Sequence, residues 1–190
     1  MIVTEEILKD IDVSVWRHDI GSILNKWDIG QVNGQGAEVG VHFGDGSENL
    51  LSKWNGKKLY SIDCWKHQDP SVYSDIANTE DDAQEKFYLD TIDRLSKFGE
   101  RSEIIRELSV DASKRFNDEQ LDFVFLDANH GTLALTEDLN AWYPKVKTGG
   151  LIYGDDWAWG SVVDAVNPFF EKLNKKVYVG CWPPQWFVFK

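Results

Sequence analysis

Apolar residues at Trp16, Ile20, Ile23, Leu24 and Trp27 share one face at helical spacing, and beyond Gly30 that period gives way to short apolar runs set between further helical stretches. The first pattern predicts an amphipathic helix over 14–28, with Ser14 placed to cap it. The second predicts strand–helix units. Residues 37–41 read as a strand, 47–54 as a helix ended by Asn55-Gly56, and 58–63 as a second strand. A polar stretch at 64–79 carries Pro70 and no clean period, and its length suits a functional loop. Phe87, Leu89, Ile92 and Leu95 then predict a helix over 81–98, followed by a strand at 102–108 and a short helix at 111–116.

The run 121–127 is almost wholly apolar and ends in Asp127, as a central parallel strand buried on both faces does. A helix at 133–143, a turn at 147–150 and a strand at 151–154 follow. Residues 161–173 predict a helix kinked at Pro168, and 176–180 with 186–190 an antiparallel hairpin around Pro183-Pro184. Five strand–helix units closed by a hairpin define the expected class. It is an α/β, Rossmann-like, doubly wound, mostly parallel seven-stranded sheet with a C-terminal antiparallel hairpin. A helical extension over 1–33 would pack on a domain spanning 34–190.

The 190 residues carry 20 basic against 32 acidic side chains, a net charge of −12, with 42% hydrophobic residues. These are globular proportions, and the charge disfavours a nucleic-acid partner or an anionic membrane surface. Cys64 and Cys181 lie on elements that a doubly wound sheet keeps far apart, so no disulfide is expected. There is no basic segment followed by an apolar run at the N-terminus and no membrane-length apolar stretch, and a cytoplasmic protein is expected.

Acids and glycines gather where such a sheet binds ligands, beyond the carboxyl ends of its strands. Glu38, Asp63, Asp127 and Asp155 fall at the ends of the first, second, fourth and fifth strands. Gly40 and Gly44 open the first turn, where glycine lets backbone approach a ligand. The spacing Glu38-x-Gly40-x-x-x-Gly44 differs from the dinucleotide fingerprint G-x-G-x-x-G. A nucleoside cofactor fits it, with Asp63 on the ribose hydroxyls and Glu38 on a cofactor ammonium. Asp127, Asp155 and Asp156 meet where neighbouring strands lie about 5 Å apart. Three carboxylates there either share a hard cation, Mg²⁺ or Ca²⁺, or cap the next helix and orient a substrate. His130 is either a general base for a substrate hydroxyl or a turn residue bonded to backbone. His42 lies inside the glycine turn, with its backbone as the expected contact. Trp65, Trp157 and Trp159 flank the site in loops, and one of them at most is expected to present a ring to a cofactor cation or to a flat substrate.

The first turn resembles the opening motif of class I S-adenosylmethionine-dependent methyltransferases. Ala37-Glu38-Val39-Gly40-Val41, Leu59-Tyr60-Ser61-Ile62-Asp63-Cys64-Trp65, Ser109-Val110-Asp111-Ala112 and residues 121–130 are similar to a small methyltransferase family related to macrocin-type O-methyltransferases. Residues 141–150 and Gly154-Asp155-Asp156-Trp157 continue the likeness, which runs through 163–169. The resemblance implies S-adenosylmethionine as cofactor, held by Glu38, Gly40, Val41, His42, Gly44, Ser47, Asp63, Cys64, Trp65, Ser109, Val110 and Asp127. Ser109 and Val110 would line the adenine pocket, and Trp65 would lie near the adenosine. Catechol-type and caffeoyl-CoA-type relatives hold a metal with an Asp and an Asp-Asn pair at equivalent strand ends. The chain departs from the family at Gly154-Asp155-Asp156-Trp157, where Gly-His-Asp-Tyr is common, at Thr132, where an aromatic is common, and at Cys64, where proline is common.

The resulting expectation is methyl transfer to a small hydroxylated molecule, with His130 and Asp127 as catalytic residues and a homodimer formed through the N-terminal helix. Metal-independent methylation of nitrogen or oxygen, and a donor-binding module without turnover, remain open. A nicotinamide-dependent oxidoreductase is disfavoured by the glycine spacing and the hairpin.

Overall fold

A computed structural model describes residues 15–190. Ser14, the expected cap, and the start of the predicted extension lie outside the described residues. A 3₁₀ turn over Arg17–Asp19 leads into α1 (Ile20–Lys26), β1 (Gln35–Val39), α2 (Asp45–Lys53), β2 (Lys58–Asp63) and α3 (Asp81–Ser96). Then come β3 (Ser102–Arg106), α4 (Ser109–Ser113), β4 (Leu121–Leu126), α5 (Thr132–Trp142), β5 (Val146–Gly154), α6 (Gly160–Lys172), β6 (Tyr178–Gly180) and β7 (Gln185–Phe189).

The seven strands form one sheet in the order β3-β2-β1-β4-β5-β7-β6. The first five run parallel and β7 is antiparallel to both its neighbours, so the hairpin closes the sheet as the sequence pattern predicts. Strand pleat divides the apolar side chains between two cores. Val39, Val124, Leu126, Ile152, Trp186 and Val188 pack on one face, under helices α4, α5 and α6. Phe123, Phe125, Tyr153 and Phe187 pack on the other with Ile20, Leu24, Leu50 and Leu95 from α1, α2 and α3. Order reverses at β1, which has β2 on one side and β4 on the other, and this is where a doubly wound sheet opens a crevice.

Local departures from the pattern have local causes. Lys147-Thr148-Gly149-Gly150, expected as a turn, lies within β5 as an irregularity: Val146 pairs with Leu121, and pairing resumes with Leu151 opposite Phe123. Gly149 supplies the positive φ of +81° that this bulge requires. Trp16, expected on a buried helical face, is half exposed and precedes the helix, where it bridges to Trp182 in the hairpin turn. The Arg17 N–H donates to the Trp182 carbonyl and the Trp182 N–H to the Val15 carbonyl, so the N-terminal segment is laced to the hairpin beside the strand ends.

Candidate active site

β1 enters its turn at Gly40, with φ at +90°, and a side chain added there would place its Cβ 2.0 Å from the Asp127 carbonyl oxygen. The β1 and β4 backbones thus meet at the reversal point because Gly40 has no Cβ. Gly40→Ala should cost about 1–3 kcal/mol of stability and widen this junction. A combined thermal melt and donor titration checks it: a lower Tm should come with weaker donor binding.

The next residue but one, His42, holds φ at +54°, and Trp65 and Asp156 past β2 and β5 hold +41° and +54°. Non-glycine residues adopt this region at a cost, and here three of them ring one site. Asp63 fixes the first two. Its Oδ2 accepts the N–H groups of Val41 and His42, each at 2.9 Å, and its Oδ1 accepts that of Trp65 at 2.9 Å. The indole N–H of Trp65 donates to the His42 carbonyl at 2.6 Å. Trp65 is therefore buried as a brace beneath the turn and does not line the cavity, which corrects its placement beside the adenosine. The ring of His42 packs on Phe87, leaving its backbone as the part nearest the site.

A cavity of about 660 Å³ opens over these strand ends. Glu38, Gly40, Val41, His42, Asp63 and Cys64 line it from β1 and β2, and Leu108, Ser109 and Val110 from the start of α4. Asp127, His130, Asp155 and Asp156 line it from β4 and β5. Gly44 and Ser47 stand behind the wall. Gly44, at φ +85°, lets α2 begin, and the Ser47 hydroxyl donates to Glu38 and lies 2.7 Å from the Ser61 hydroxyl. Glu38 is almost fully buried, and burial, with the charges of Asp127 and Asp45 adding to it, raises its pKa to about 8 against the Ser47 hydrogen bond.

The expected carboxylate trio is present but does not share an ion site. Arg17 reaches across from the N-terminal segment and pairs with Asp155 Oδ2. His130 lies between the other two, with Nε2 3.4 Å from Asp127 Oδ1 and Nδ1 3.7 Å from Asp156 Oδ2. Among the described residues no group of three or more His, Cys, Asp or Glu side chains could hold a metal ion. The trio as it stands is thus not arranged around an ion, and the relief of carboxylate repulsion comes from a guanidinium and an imidazole. Burial raises the Asp127 pKa to about 6 against the contact with His130. Burial acts to lower the imidazole, but contact with Asp127 and the charges of Asp156 and Asp155 outweigh it and leave His130 above its ordinary value.

Residues 37–157 match a family model described as a methyltransferase domain. The chain belongs to this methyltransferase family. It is a class I S-adenosylmethionine-dependent methyltransferase, and solved structures share its fold. One is a protein from Streptococcus mutans assigned as a methyltransferase and solved with S-adenosylhomocysteine, 14% identical over 99% of this chain and 98% of that one, with a TM-score of 0.63. A second is the O-methyltransferase NovP, 14% identical over 91% of this chain and 77% of that one, at 0.66. A third is an rRNA methylase from Streptococcus thermophilus, 17% identical over 91% and 93% of the two chains, at 0.60. No curated protein matches the chain in sequence.

Around the methyltransferase cavity stand residues the sequence did not single out. Tyr73 reaches in from the 64–79 loop, which is ordered by its own side chains: Asn78 Nδ2 donates to the carbonyls of Gln68 and Tyr73 at 2.8 and 2.7 Å, and Asp81 accepts the His67 N–H at 2.8 Å. Asn129 ties this loop to the end of β4 through the Val72 carbonyl at 3.0 Å. Asp138 lies beneath Ser109, whose hydroxyl donates to it and accepts from Trp142 Nε1 at 2.9 Å. Its helical spacing with Leu135, Leu139 and Trp142 marks it as a buried acid, and burial raises its pKa to about 6. Of the three loop tryptophans, Trp159 lines the cavity, whereas Trp65 and Trp157 do not.

Proposed function

We propose that this methyltransferase transfers the methyl group of S-adenosylmethionine to a hydroxyl oxygen of a small molecule, with His130 accepting the hydroxyl proton. One observation carries the reading: a single cavity runs from Ser109 and Asp63, past Gly40, to His130 between Asp127 and Asp156. Its first part suits an adenosine, with Ser109 and Val110 against the adenine and Asp63 on the ribose hydroxyls, where one carboxylate can accept hydrogen bonds beyond the three it takes from backbone. Glu38 meets the donor's ammonium. The acceptor enters between Tyr73, Val72 and Trp159.

The reaction is an in-line displacement. The acceptor oxygen forms a bond to the sulfonium methyl carbon, the C–S bond breaks to leave S-adenosylhomocysteine, and the hydroxyl proton passes to the imidazole. A sulfonium is already activated, so positioning the two partners and removing one proton suffice. No step runs through a metal, because Arg17 and His130 take up the carboxylates that would hold one. The charge of −12 supports a small acceptor over a nucleic acid.

Calorimetric titration with S-adenosylhomocysteine tests this directly, followed by turnover of labelled donor across phenols, catechols, sugars and their amino analogues. One-to-one donor binding and methyl ether products are expected. No heat on donor injection, or products methylated only on nitrogen, would defeat the respective halves of the reading.

A further inference from the structure

One corner of the cavity is more polar than the proposed reaction uses. Tyr153 and Asp155 leave β5 two residues apart and so face the same side of the sheet. The antiparallel register that pairs Gly154 with Trp186 sets Gln185 opposite Asp155. All three line the cavity, and they are only 0%, 3% and 2% exposed, in the order Tyr153, Asp155, Gln185. Yet Tyr153 Oη, Asp155 Oδ1 and Gln185 Oε1 have no hydrogen-bond partner among the described residues. Buried polar atoms are rarely left so, and three in one corner imply a ligand group that meets them.

Their chemistry defines that group. A carboxylate oxygen and an amide carbonyl oxygen only accept, and a phenol oxygen accepts as readily as it donates. Arg17 already occupies the other oxygen of Asp155, which leaves Oδ1 to meet a ligand. Tyr153 cannot turn toward another partner, because its ring is stacked between Phe125, at 4.7 Å, and Phe187, at 5.6 Å. The next row on this face carries Asp127 beside Asp155, and with Asp156 these carboxylates outnumber Arg17, so the field at this corner is negative even though Glu38, in the row below, keeps its proton up to about pH 8. Three acceptors in a negative field match the three N–H bonds of an ammonium, where a hydroxyl would bring one.

We propose that Tyr153, Asp155 and Gln185 form a binding site for a protonated primary amine carried by the methyl acceptor. The proposal rests on the methyl-transfer reading of the cavity, with the donor's own ammonium at Glu38, and it gives that reading a substrate class: a hydroxylated amine.

The test uses the intact protein with Tyr153→Phe and Gln185→Met, which remove or neutralise one acceptor each while keeping side-chain volume, with circular dichroism confirming the fold. S-adenosylhomocysteine is titrated beside 5′-methylthioadenosine, which lacks the amino-acid end. Tyramine is titrated beside tyrosol, its hydroxyl counterpart, by NMR shifts on free and S-adenosylhomocysteine-loaded protein. Variants that weaken S-adenosylhomocysteine roughly tenfold or more and leave 5′-methylthioadenosine unchanged would assign the corner to the donor's amino-acid end and overturn the proposal. The expected result is that donor affinity holds and wild type prefers tyramine over tyrosol by roughly tenfold or more, a preference both variants lose. Unchanged donor affinity together with no tyramine preference overturns the proposal. Absence of S-adenosylhomocysteine binding to wild type would defeat the methyl-transfer reading instead, and the tyramine comparison on free protein still decides the amine site.

Discussion

Replacing His130 by alanine should lower kcat by about 10²–10⁴-fold, the range over which a positioned general base acts, while donor affinity stays within about twofold. The imidazole is placed to take a proton and then be stabilised for having taken it. Both of its nitrogens face carboxylates, at 3.4 and 3.7 Å, and neither is locked in a formed hydrogen bond. The edge of the ring meets Trp159, with centroids 5.4 Å apart, which fixes its orientation without using a nitrogen. The sign of the pH dependence follows. A base works unprotonated, and Asp127 with Asp156 holds this imidazole above its ordinary pKa, so kcat should climb with pH through that raised value. Asp127→Asn removes one of the charges responsible and should move the climb to lower pH, and His130→Ala should flatten it. A His130→Ala enzyme with undiminished kcat and an unchanged profile would mean that the acceptor loses its proton to solvent, leaving His130 only a turn residue.

The fold was legible because each apolar run ends where a parallel strand must end. Glu38, Asp63, Asp127 and Asp155 each close such a run, and strand geometry alone then carries them to one edge. Short apolar runs joined by helices implied parallel strands with crossovers, but the reversal at β1 comes only from the observed strand order. The bulge in β5 was hidden because Gly149-Gly150 has the composition of a turn, and only pairing with β4 on both sides of it reveals a strand. Trp65 was set beside the adenosine by family resemblance, which carries no side-chain direction, whereas its indole N–H is taken by the His42 carbonyl. Least legible was the fate of the carboxylate trio. Three acids at adjoining strand ends require positive charge, but a sequence does not say whether it arrives as a metal or as a side chain. Arg17, which answers it, lies 138 residues from its partner Asp155 and sits in a segment whose own pattern announces only a helix. Gln185 is similarly silent until the hairpin register sets it opposite Asp155.

Without ligand, the stability of this methyltransferase should fall as pH rises from about 5 to 8, and Glu38→Gln should remove much of that fall. Burial holds the Glu38 carboxyl at about 8 where an unfolded chain has 4.5. Between those values the folded state keeps a proton that the unfolded state has released, so each step up in pH favours unfolding. The gap corresponds to at most about 5 kcal/mol, fully present below the unfolded value and lost once pH passes the folded one. Asp127 and Asp138, raised by burial to about 6, push in the same direction over a narrower window, which is why the comparison with the glutamine variant isolates Glu38. Thermal melts across this range measure it, and a wild-type Tm that does not decline would mean that the carboxyl stays ionised in the fold. Donor binding reverses the balance. An ammonium brought against Glu38 favours the carboxylate, so wild type at pH 7 should release about one proton per donor bound. Titrations in two buffers of different ionisation heat read that release directly, and it should vanish in Glu38→Gln. The same buried carboxyl that strains the empty protein at high pH thus becomes, once ionised, the partner of the donor's charge.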